Sequence, residues 1–432
     1  MKSVVHLRSE SMTKQTNQKT ARIKSLLTKL YQKARPRLVL IIQIGLVVVS
    51  VTLITIVLEE AGWLQGFERA AMDAWLRANF NFSTVAPSKQ IVIVNITDQD
   101  YADIFLRKSP LNKTGLEQII NALAPAKPLL IGVDIDTSEE DFRDIKYPED
   151  IPIIWAEAPL IDESHHSEIQ TLPALGGAKS SSTLTGVALM RSDSDGVVRS
   201  YVRRAGQHDS FAWVLAMNYC VQIEQTMKNQ QIEPDAKISE RCAVIRAMPH
   251  DAITDEELAL DLLGGESRFQ QISARELLDA QRWNRVETLR KLTGRAVLVG
   301  GTFYAGRDEY TTPLGRMSGL ELVAHAVDSE LHGPFRRPSK TTMLVLNLVG
   351  GIVILLLFIQ FGVRKGCLLS LLTMFVIAPL WSWIAFGSIW RAAYFAVILI
   401  ALLIHQLYEQ AHYVQHQFLH HLKAEKPPDA KR

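Results

Sequence analysis

The sequence predicts an α/β domain, a mixed sheet with flanking helices, inserted between one N-terminal and three C-terminal transmembrane helices. Three observations favour this fold class. Long apolar blocks lie near both ends of the 432-residue chain, short β-rich runs alternate with helical patterns between them, and positive charge precedes the first block. The region between the blocks has the composition of an ordinary globular domain.

The first block, residues 38–58, is an uncharged apolar run. As a helix rising about 1.5 Å per residue, it is long enough to cross a hydrocarbon core of about 30 Å. We interpret it as an uncleaved anchor rather than a signal peptide, because its apolar core is too long and the following LEEAGWLQG lacks a small-x-small cleavage site. Three more transmembrane helices are predicted at residues 342–361, 366–390 and 392–408.

The distribution of charge predicts the orientation in the lipid bilayer. The leader, residues 1–37, carries ten Lys or Arg residues against one acid, whereas Glu59 and Glu60 directly follow the first span. The leader is therefore predicted to be cytoplasmic, and four crossings place residues 59–340 outside the cytoplasm and return residues 409–432 to it. We interpret the basic leader as a topogenic signal beside the membrane rather than as a nucleic-acid-binding segment.

The outside segment is predicted to contain a βαβ unit, with strands at 91–96 and 129–135 joined by a helix at 114–123. Three further strands begin at Ile151, Thr185 and Gly196, and the last two are predicted to form an antiparallel pair. A late strand at 296–301 runs into a glycine turn. Additional helices are predicted at 211–227, 274–280 and 319–331.

Two of the three cysteines, Cys220 and Cys242, lie in the outside segment, where oxidising conditions permit a disulfide. Such a bond would join the end of one predicted helix to the start of a following strand. The alternative is two separate buried thiols.

Three segments resemble the type-2 CHASE domain, an extracellular sensory module associated with cyclases and histidine kinases. Residues 66–77 (GFERAAMDAWLR) with the strands IVIVNITDQD and IGVDID resemble its beginning, SDSDGVVRSYV (192–202) and the following FAWVLAM its middle, and residues 295–331 its end. The resemblance implies an α/β sensory fold with one span before it and three after it, in a bacterial cell (inner) membrane.

The sequence departs from the family pattern in two ways. The loop after Asp98 reads DQDYADIFLRKSPLNKTG and lacks the expected tryptophan-proline-arginine pattern. Family members usually continue into a cytoplasmic cyclase, kinase or similar output domain, whereas only residues 409–432 follow the last predicted span of this chain. We therefore expect a stand-alone form that needs a separate cytoplasmic output protein.

Ligands of α/β sheets bind beyond the carboxyl ends of the strands, where helix N-termini point inward. At such ends lie the residues predicted to bind a ligand: Asp98, Asp134, Asp136, Gly300, Gly301 and Thr302, with Asp308 close behind. The carboxylates could hold a hard cation or the donors of a polar ligand. Alternatively, they cap helices and turns or pair with Arg107, Arg143 or Arg307.

SDSDG (192–196) superficially resembles part of a calcium loop but lacks the downstream glutamate. We interpret it as a β-turn, after which Arg199 could pair with Asp193 or Asp195. The adjacent His165 and His166 are interpreted as loop residues. The sequence indicates no catalytic residue, no metal site and no cofactor.

An apolar stripe from Leu403 to Leu422 predicts that the last span continues as an amphipathic cytoplasmic helix, through which the chain could form a homodimer. His412, His416 and His420 lie on another face of this helix, either as metal or pH-sensitive groups or as a polar flank.

These patterns together predict a non-enzymatic membrane receptor that recognises an extracytoplasmic ligand or protein and relays a signal to a separate cytoplasmic partner. The alternative is a structural or assembly protein whose outside domain docks a partner without signalling. An enzyme or transporter is less favoured, because His405 is the one ionisable residue placed within the C-terminal spans.

Overall fold

The computed structural model describes residues 86–160, 170–177, 183–228, 235–306 and 308–336, together with isolated positions on either side. Those isolated positions include the helical residues 73, 74, 76, 77 and 80. The chain divides into two compact units, one comprising residues 1–71 and 338–432 and the other residues 72–337. The second unit contains the strands and helices of the α/β domain.

The second unit contains both strands and α-helices. Its described strands are β1 (Ile91–Ile96), β2 (Leu130–Asp134), β3 (Ile153–Leu160), β4 (Gln170–Leu172), β5 (Leu184–Val187), β6 (Ser200–Val202), β7 (Arg204–Ala205), β8 (His208–Asp209), β9 (Glu257–Ala259), β10 (Gln270–Ser273), β11 (Ala296–Gly301), β12 (Glu309–Thr312), β13 (Gly315–Ser318) and β14 (Phe335–Arg336). Its described α-helices are α1 (Asp98–Asp103), α2 (Lys113–Leu123), α3 (Phe211–Lys228), α4 (Ala236–Arg246), α5 (Ala274–Arg282), α6 (Val286–Arg290) and α7 (Gly319–His332).

A seven-stranded sheet forms the centre, in the order β10-β1-β11-β2-β3-β4 with β5 also paired to β3. Every pairing in it is parallel except that of β3 with β4. The predicted α/β fold of the central domain, a mixed sheet with flanking helices, is therefore confirmed. β11 lies between β1 and β2, so the predicted βαβ unit crosses over a strand that comes much later in the chain.

Side chains of β1 alternate between two hydrophobic cores, one on each face of the sheet. Ile91 and Ile93 face the core shared with α3 and α7, whereas Val92 and Val94 face the core shared with α2 and α5. Burial on both faces is typical of parallel strands covered by helices, and it accounts for the continuous apolar run of IVIVNI.

The predicted antiparallel pair after Thr185 and Gly196 is wrong. β5 joins the central sheet parallel to β3, and β6 instead pairs with β9 in a small sheet of order β14-β9-β6. The chain does turn at Asp193–Gly196, but the backbone N–H of Val198 then donates to Thr311 on β12, which directs β6 away from β5.

Cys220 and Cys242 are joined by a disulfide with a Cα–Cα distance of 4.9 Å. Both cysteines are buried, and the bond links α3 to α4. Cys242 therefore lies in a helix and not at the start of a strand, contrary to the prediction. The segment AKISERCAVIR carries an Asp235 N-cap and forms a helix whose buried residues face α3.

Replacing Cys220 and Cys242 together by serine is expected to lower the free energy of unfolding by about 3 kcal/mol, the entropy cost of a loop of this length. The two residues are 22 apart in sequence. Thermal melting of the purified full chain, compared with that of the parent, measures the change. A double variant that melts like the parent would contradict the prediction.

A buried ion pair fixes the end of α7. Glu330 is fully buried and accepts hydrogen bonds from Arg203 Nε at 2.7 Å, Arg203 Nη2 at 2.8 Å and the Tyr201 hydroxyl at 2.9 Å. The guanidinium of Arg203 also lies 4.8 Å from the ring centroid of Trp213 on α3. These contacts hold the C-terminal turn of α7 to β6, α3 and the chain after β6.

Glu330→Gln is expected to cost about 3–5 kcal/mol of unfolding free energy, because it leaves the buried charge of Arg203 without its partner. Tyr201→Phe removes a single hydrogen bond and is expected to cost about 1 kcal/mol. Urea unfolding of both variants measures the difference. Equal losses would show that the ion pair has no special role in stability.

Among the residues that the structure describes, no helix is both long enough and apolar enough to cross a membrane. The four predicted spans and the predicted cytoplasmic helix lie outside the described residues, apart from a few isolated positions. His165, His166 and the histidines of the tail also lie outside them.

Candidate functional site

Three central strands end side by side at the carboxyl edge of the sheet. Asn95 of β1 pairs in register with Gly300 of β11, which pairs with Asp134 of β2. A side chain at Gly300 would meet Leu320 Cδ1 at 2.9 Å, so the glycine allows the first turn of α7 to approach the end of the sheet. This row of paired residues therefore brings Asp134, at the end of β2, close to the start of α7.

Asp134 interacts electrostatically with Asp308, which directly precedes β12, and with Tyr310, which lies on β12. The Tyr310 hydroxyl and the backbone N–H of Gly319 donate to Asp308. A Cβ atom at Gly319 would overlap the Asp308 carboxylate, so a glycine is needed where α7 begins. We call Asp134 and Asp308 the carboxyl pair; Tyr310 is the tyrosine that contacts it.

The carboxyl pair is electrostatically unfavourable. Burial, followed by the negative charge of Asp308, raises the pKa of Asp134 to about 7. Burial also raises the pKa of Asp308, although hydrogen bonds from Tyr310 and Gly319 oppose this, and burial raises the pKa of Tyr310 to about 12. As whole residues, Asp134 is half-buried and Asp308 is exposed. A proton or a cationic group would relieve the repulsion.

Other residues predicted at this edge have structural contacts. Asp98 Oδ1 accepts a hydrogen bond from the backbone N–H of Tyr304 at 2.9 Å, which ties the loop after β11 to the start of α1. Thr302 Oγ1 donates to Asn95 Oδ1. Asp136 is exposed and caps a turn through the backbone N–H of Ser138 at 2.9 Å.

Of the predicted ligand residues, the structure thus brings Asp134 and Asp308 together and places Gly300 in the same row. Gly301 and Thr302 continue β11 into the loop held by Asp98, and Asp136 lies in a separate turn. Of the arginines considered as partners, Arg143 pairs with Glu140 at 3.1 Å, and Arg307 lies outside the described residues. In the described part of the chain, no group of three or more His, Cys, Asp or Glu could hold a metal ion.

Sequence reasoning missed Tyr310 and Gly319. Tyr310 follows Asp308 by two residues, and nothing in the local sequence distinguishes it from a tyrosine that only packs against its neighbours. Gly319 follows the N-cap Ser318, whose capping box with Glu321 indicates the start of a helix but not a contact with a carboxylate. The hairpin of β12 and β13, which brings Tyr310 and Gly319 to Asp308, was not predicted.

SDSDG forms the predicted turn, in which the backbone N–H of Gly196 donates to Asp193 O at 2.8 Å and Gly196 has a φ of 76°. Arg199 is 3% exposed and donates to Asp193 Oδ2 at 2.8 Å and to Asp195 Oδ1 at 2.9 Å. The predicted pairing is confirmed. Arg199 also bonds Asp73 through Nε and Nη2, each at 2.8 Å. Hydrogen bonding, first to Asp73, raises the pKa of Arg199 further above its ordinary value.

The CHASE2 domain family model matches residues 47–363, well over half of the chain. The chain belongs to the CHASE2 domain family. Comparison with curated proteins and comparison with solved structures each gave no match. CHASE2 domains are sensory domains, and the match includes the whole described α/β unit of this chain. The carboxyl pair and the contacts of Arg199 with its three aspartates therefore both lie within the CHASE2 domain.

The pKa shift of Asp134 predicts a pH dependence of stability. The folded state holds the Asp134 proton more tightly than the unfolded chain does, because the pKa rises from 3.8 to about 7 on folding. The resulting stabilisation is complete below about pH 4 and is lost as the pH rises through about 7. Above that pH the folded protein carries an unfavourable charge at Asp134.

Asp134→Asn is therefore expected to stabilise the protein near pH 8 by about 1–2 kcal/mol. A shift of one pKa unit corresponds to roughly 1.4 kcal/mol, and the partial exposure of Asp134 reduces the effect of its shift on stability. Below about pH 4, where Asp134 is protonated in both states, the variant gains nothing from removing the charge. Unfolding by urea at several pH values measures this. Asp136→Asn, which alters an exposed acid, is the matched control, and parallel pH curves for Asp134→Asn and the parent would disprove the shift.

Proposed function

We propose that this protein is a membrane-anchored receptor subunit whose CHASE2 domain senses a stimulus outside the cytoplasm and relays it to a separate cytoplasmic protein. The observation that carries the proposal is the place of a sensory-family α/β domain in the sequence, between one apolar run and three others. A polypeptide arranged in this way can respond outside the membrane and act inside it only by changing the packing of its spans.

The disulfide supports the extracytoplasmic placement of the domain. Such bonds form and persist in oxidising compartments and are rare in the cytosol. Cys220 and Cys242 are buried and bonded within the domain. The basic leader and the acidic residues that follow the first apolar run favour the same orientation.

The stimulus is proposed to act at the carboxyl edge of the sheet, where Asp134 and Asp308 are held close enough to disfavour a double negative charge. The other predicted contact residues, Asp98, Asp136 and the Gly300–Thr302 turn, are proposed to shape the surrounding loops. The proposal assigns no catalytic step to this chain, because the output is produced by the cytoplasmic partner.

Topology is tested by proteolysis from each side of the membrane. Protease added to intact spheroplasts is expected to cut within residues 59–340 and to spare residues 409–432, whereas inverted vesicles should give the reverse pattern. Antibodies against a tag after residue 432 and against the domain identify the fragments. A domain protected in spheroplasts and digested in inverted vesicles would refute the extracytoplasmic placement.

Signalling is tested by fusing the tail to a transcriptional reporter that requires dimerisation. Deletion of the CHASE2 domain is expected to change reporter output by at least about fivefold, the lower range of coupling between distant sites. Asp134→Asn should change the output in part, and Asp150→Asn, at an exposed acid that precedes the start of β3, should not. Output that is indifferent to deletion of the domain would favour a docking protein that does not switch.

A further inference from the structure

The buried guanidinium of Arg199 joins two parts of the CHASE2 domain that are distant in sequence. Asp193 and Asp195 belong to the turn just before it, whereas Asp73 lies 126 residues away, on the helical segment that follows the first predicted span. We call Arg199 with its three aspartates the Arg199 clamp.

The two sides of the clamp share one nitrogen of the guanidinium, Nη2. Asp73 receives two parallel bonds, from Nε and Nη2, while Nη1 reaches Asp193 and Asp195 and Nη2 also reaches Asp195 at 2.9 Å. A bidentate bond fixes the orientation of Asp73 as well as its distance. A lysine has no planar fork and could not reproduce this geometry.

Turn formation alone does not require Asp73. The turn is closed by its own backbone hydrogen bond and by the positive φ of Gly196, and its two aspartates already bond the arginine. A buried arginine facing two carboxylates is compensated in charge. The third carboxylate therefore serves the attachment of the segment that carries Asp73.

The same segment has a second attachment, to the hairpin of β12 and β13. Arg77 Nε donates to the backbone oxygen of Pro313, at the tip of the hairpin, at 2.9 Å. Asp73 and Arg77 are one helical turn apart, so the segment is held at two successive turns by the chain before β6 and by the hairpin.

The hairpin connects the clamp to the carboxyl pair. Tyr310 of β12 donates to Asp308, and the next residue, Thr311, accepts a hydrogen bond from the backbone N–H of Val198 at 2.8 Å. Val198 immediately precedes Arg199. An uninterrupted run of hydrogen bonds and peptide bonds thus leads from Asp308 through the hairpin to Arg199 and on to Asp73.

The strand after the clamp leads to the other end of the domain. β6 begins at Ser200 and pairs with β9, which pairs with β14 at Phe335–Arg336, the last described residues before the second predicted span. Arg199 therefore directly precedes the small sheet of β6, β9 and β14, and β14 is the last described strand of the domain.

We propose that the Arg199 clamp is the coupling joint of this sensor: it transmits a change at the carboxyl pair, through the β12–β13 hairpin, to the Asp73 segment that follows the first span. The inference rests on the proposed function and names the element that relays the signal. Arg199 acts as a positioning residue and contacts no ligand. Its two sides are separable, because Asp73 lies on the relayed segment and Asp195 on the turn.

The test uses hydrogen–deuterium exchange of the full chain in lipid nanodiscs, with Asp134→Asn as the change at the carboxyl pair. The exchange rate of peptide 72–80 is expected to differ at least about fivefold between Asp134→Asn and the parent, in keeping with ordinary coupling between sites. The same comparison is then made with Asp73→Asn present, where the difference should disappear, and with Asp195→Asn present, where it should remain.

A purely structural clamp predicts another outcome. Asp73→Asn and Asp195→Asn would then change the overall melting temperature, and the effect of Asp134→Asn on peptide 72–80 would be the same in both backgrounds. That result refutes the coupling role of the Arg199 clamp, as does the absence of any effect of Asp134→Asn on this peptide in the parent. The peptide covering α5, on the opposite face of the sheet, is the internal control.

Arg199→Lys provides a second variant if Asp73→Asn does not fold, since it keeps the positive charge and loses the fork. It is expected to abolish the effect of Asp134→Asn on peptide 72–80, and retention of that effect would overturn the joint. If the joint fails while Asp134→Asn still alters reporter output, the sensor proposal stands and the relay takes another route.

Discussion

Burial of α7 against the centre of the sheet is the constraint on which the rest of the CHASE2 domain depends. Nearly every residue of this helix is buried, including the charged Asp328 and Glu330. Burying charge is unfavourable unless each group is paired, and each of these has arginine partners, Arg268 for Asp328 and Arg203 with Arg241 for Glu330. The ion pairs therefore fix both the rotation and the axial position of α7.

The position of α7 in turn creates the carboxyl pair. Its first residue must be a glycine beside Asp308, and its second, Leu320, packs over Gly300 at the end of β11. A helix start favours a nearby negative charge, which makes Asp308 acceptable there. Asp134, at the end of the next strand, is then crowded by the charge of Asp308. The stable packing of one helix thus produces an electrostatically strained pair at the edge of the sheet.

Much of the fold followed from the sequence, because its strongest patterns are local. The strands at 91–96 and 296–301 and the helices beginning at Phe211, Ala274 and Gly319 lie where apolar periodicity placed them. Strand order could not be predicted, since nothing in the local sequence of β11 indicates that it inserts between β1 and β2. The error at β6 has the same origin, a pairing with the distant β9.

The candidate site was predictable only in part for a related reason. Strand-end acids such as Asp134 can be read from the sequence, because the carboxyl ends of parallel strands share one edge. Which of them meet depends on the hairpin and on Gly319, which are set by tertiary contacts. The pairing of Arg199 with its own turn was visible at a spacing of four to six residues, whereas Asp73 lies 126 residues away.

The chemistry of the Arg199 clamp suits a joint better than apolar packing would. An apolar contact between the Asp73 segment and the domain would weaken gradually as the segment moved, because dispersion and burial depend smoothly on contact area. A bidentate bond between buried charges has a narrow geometry, and a small displacement leaves a charge without its partner. Arg199 contacts Asp193 and Asp195 independently of Asp73, so release of Asp73 would leave the guanidinium with two carboxylate partners. In the proposed relay, the two states of the clamp would differ in whether Asp73 is bound, and a change at the carboxyl pair would shift the population between them.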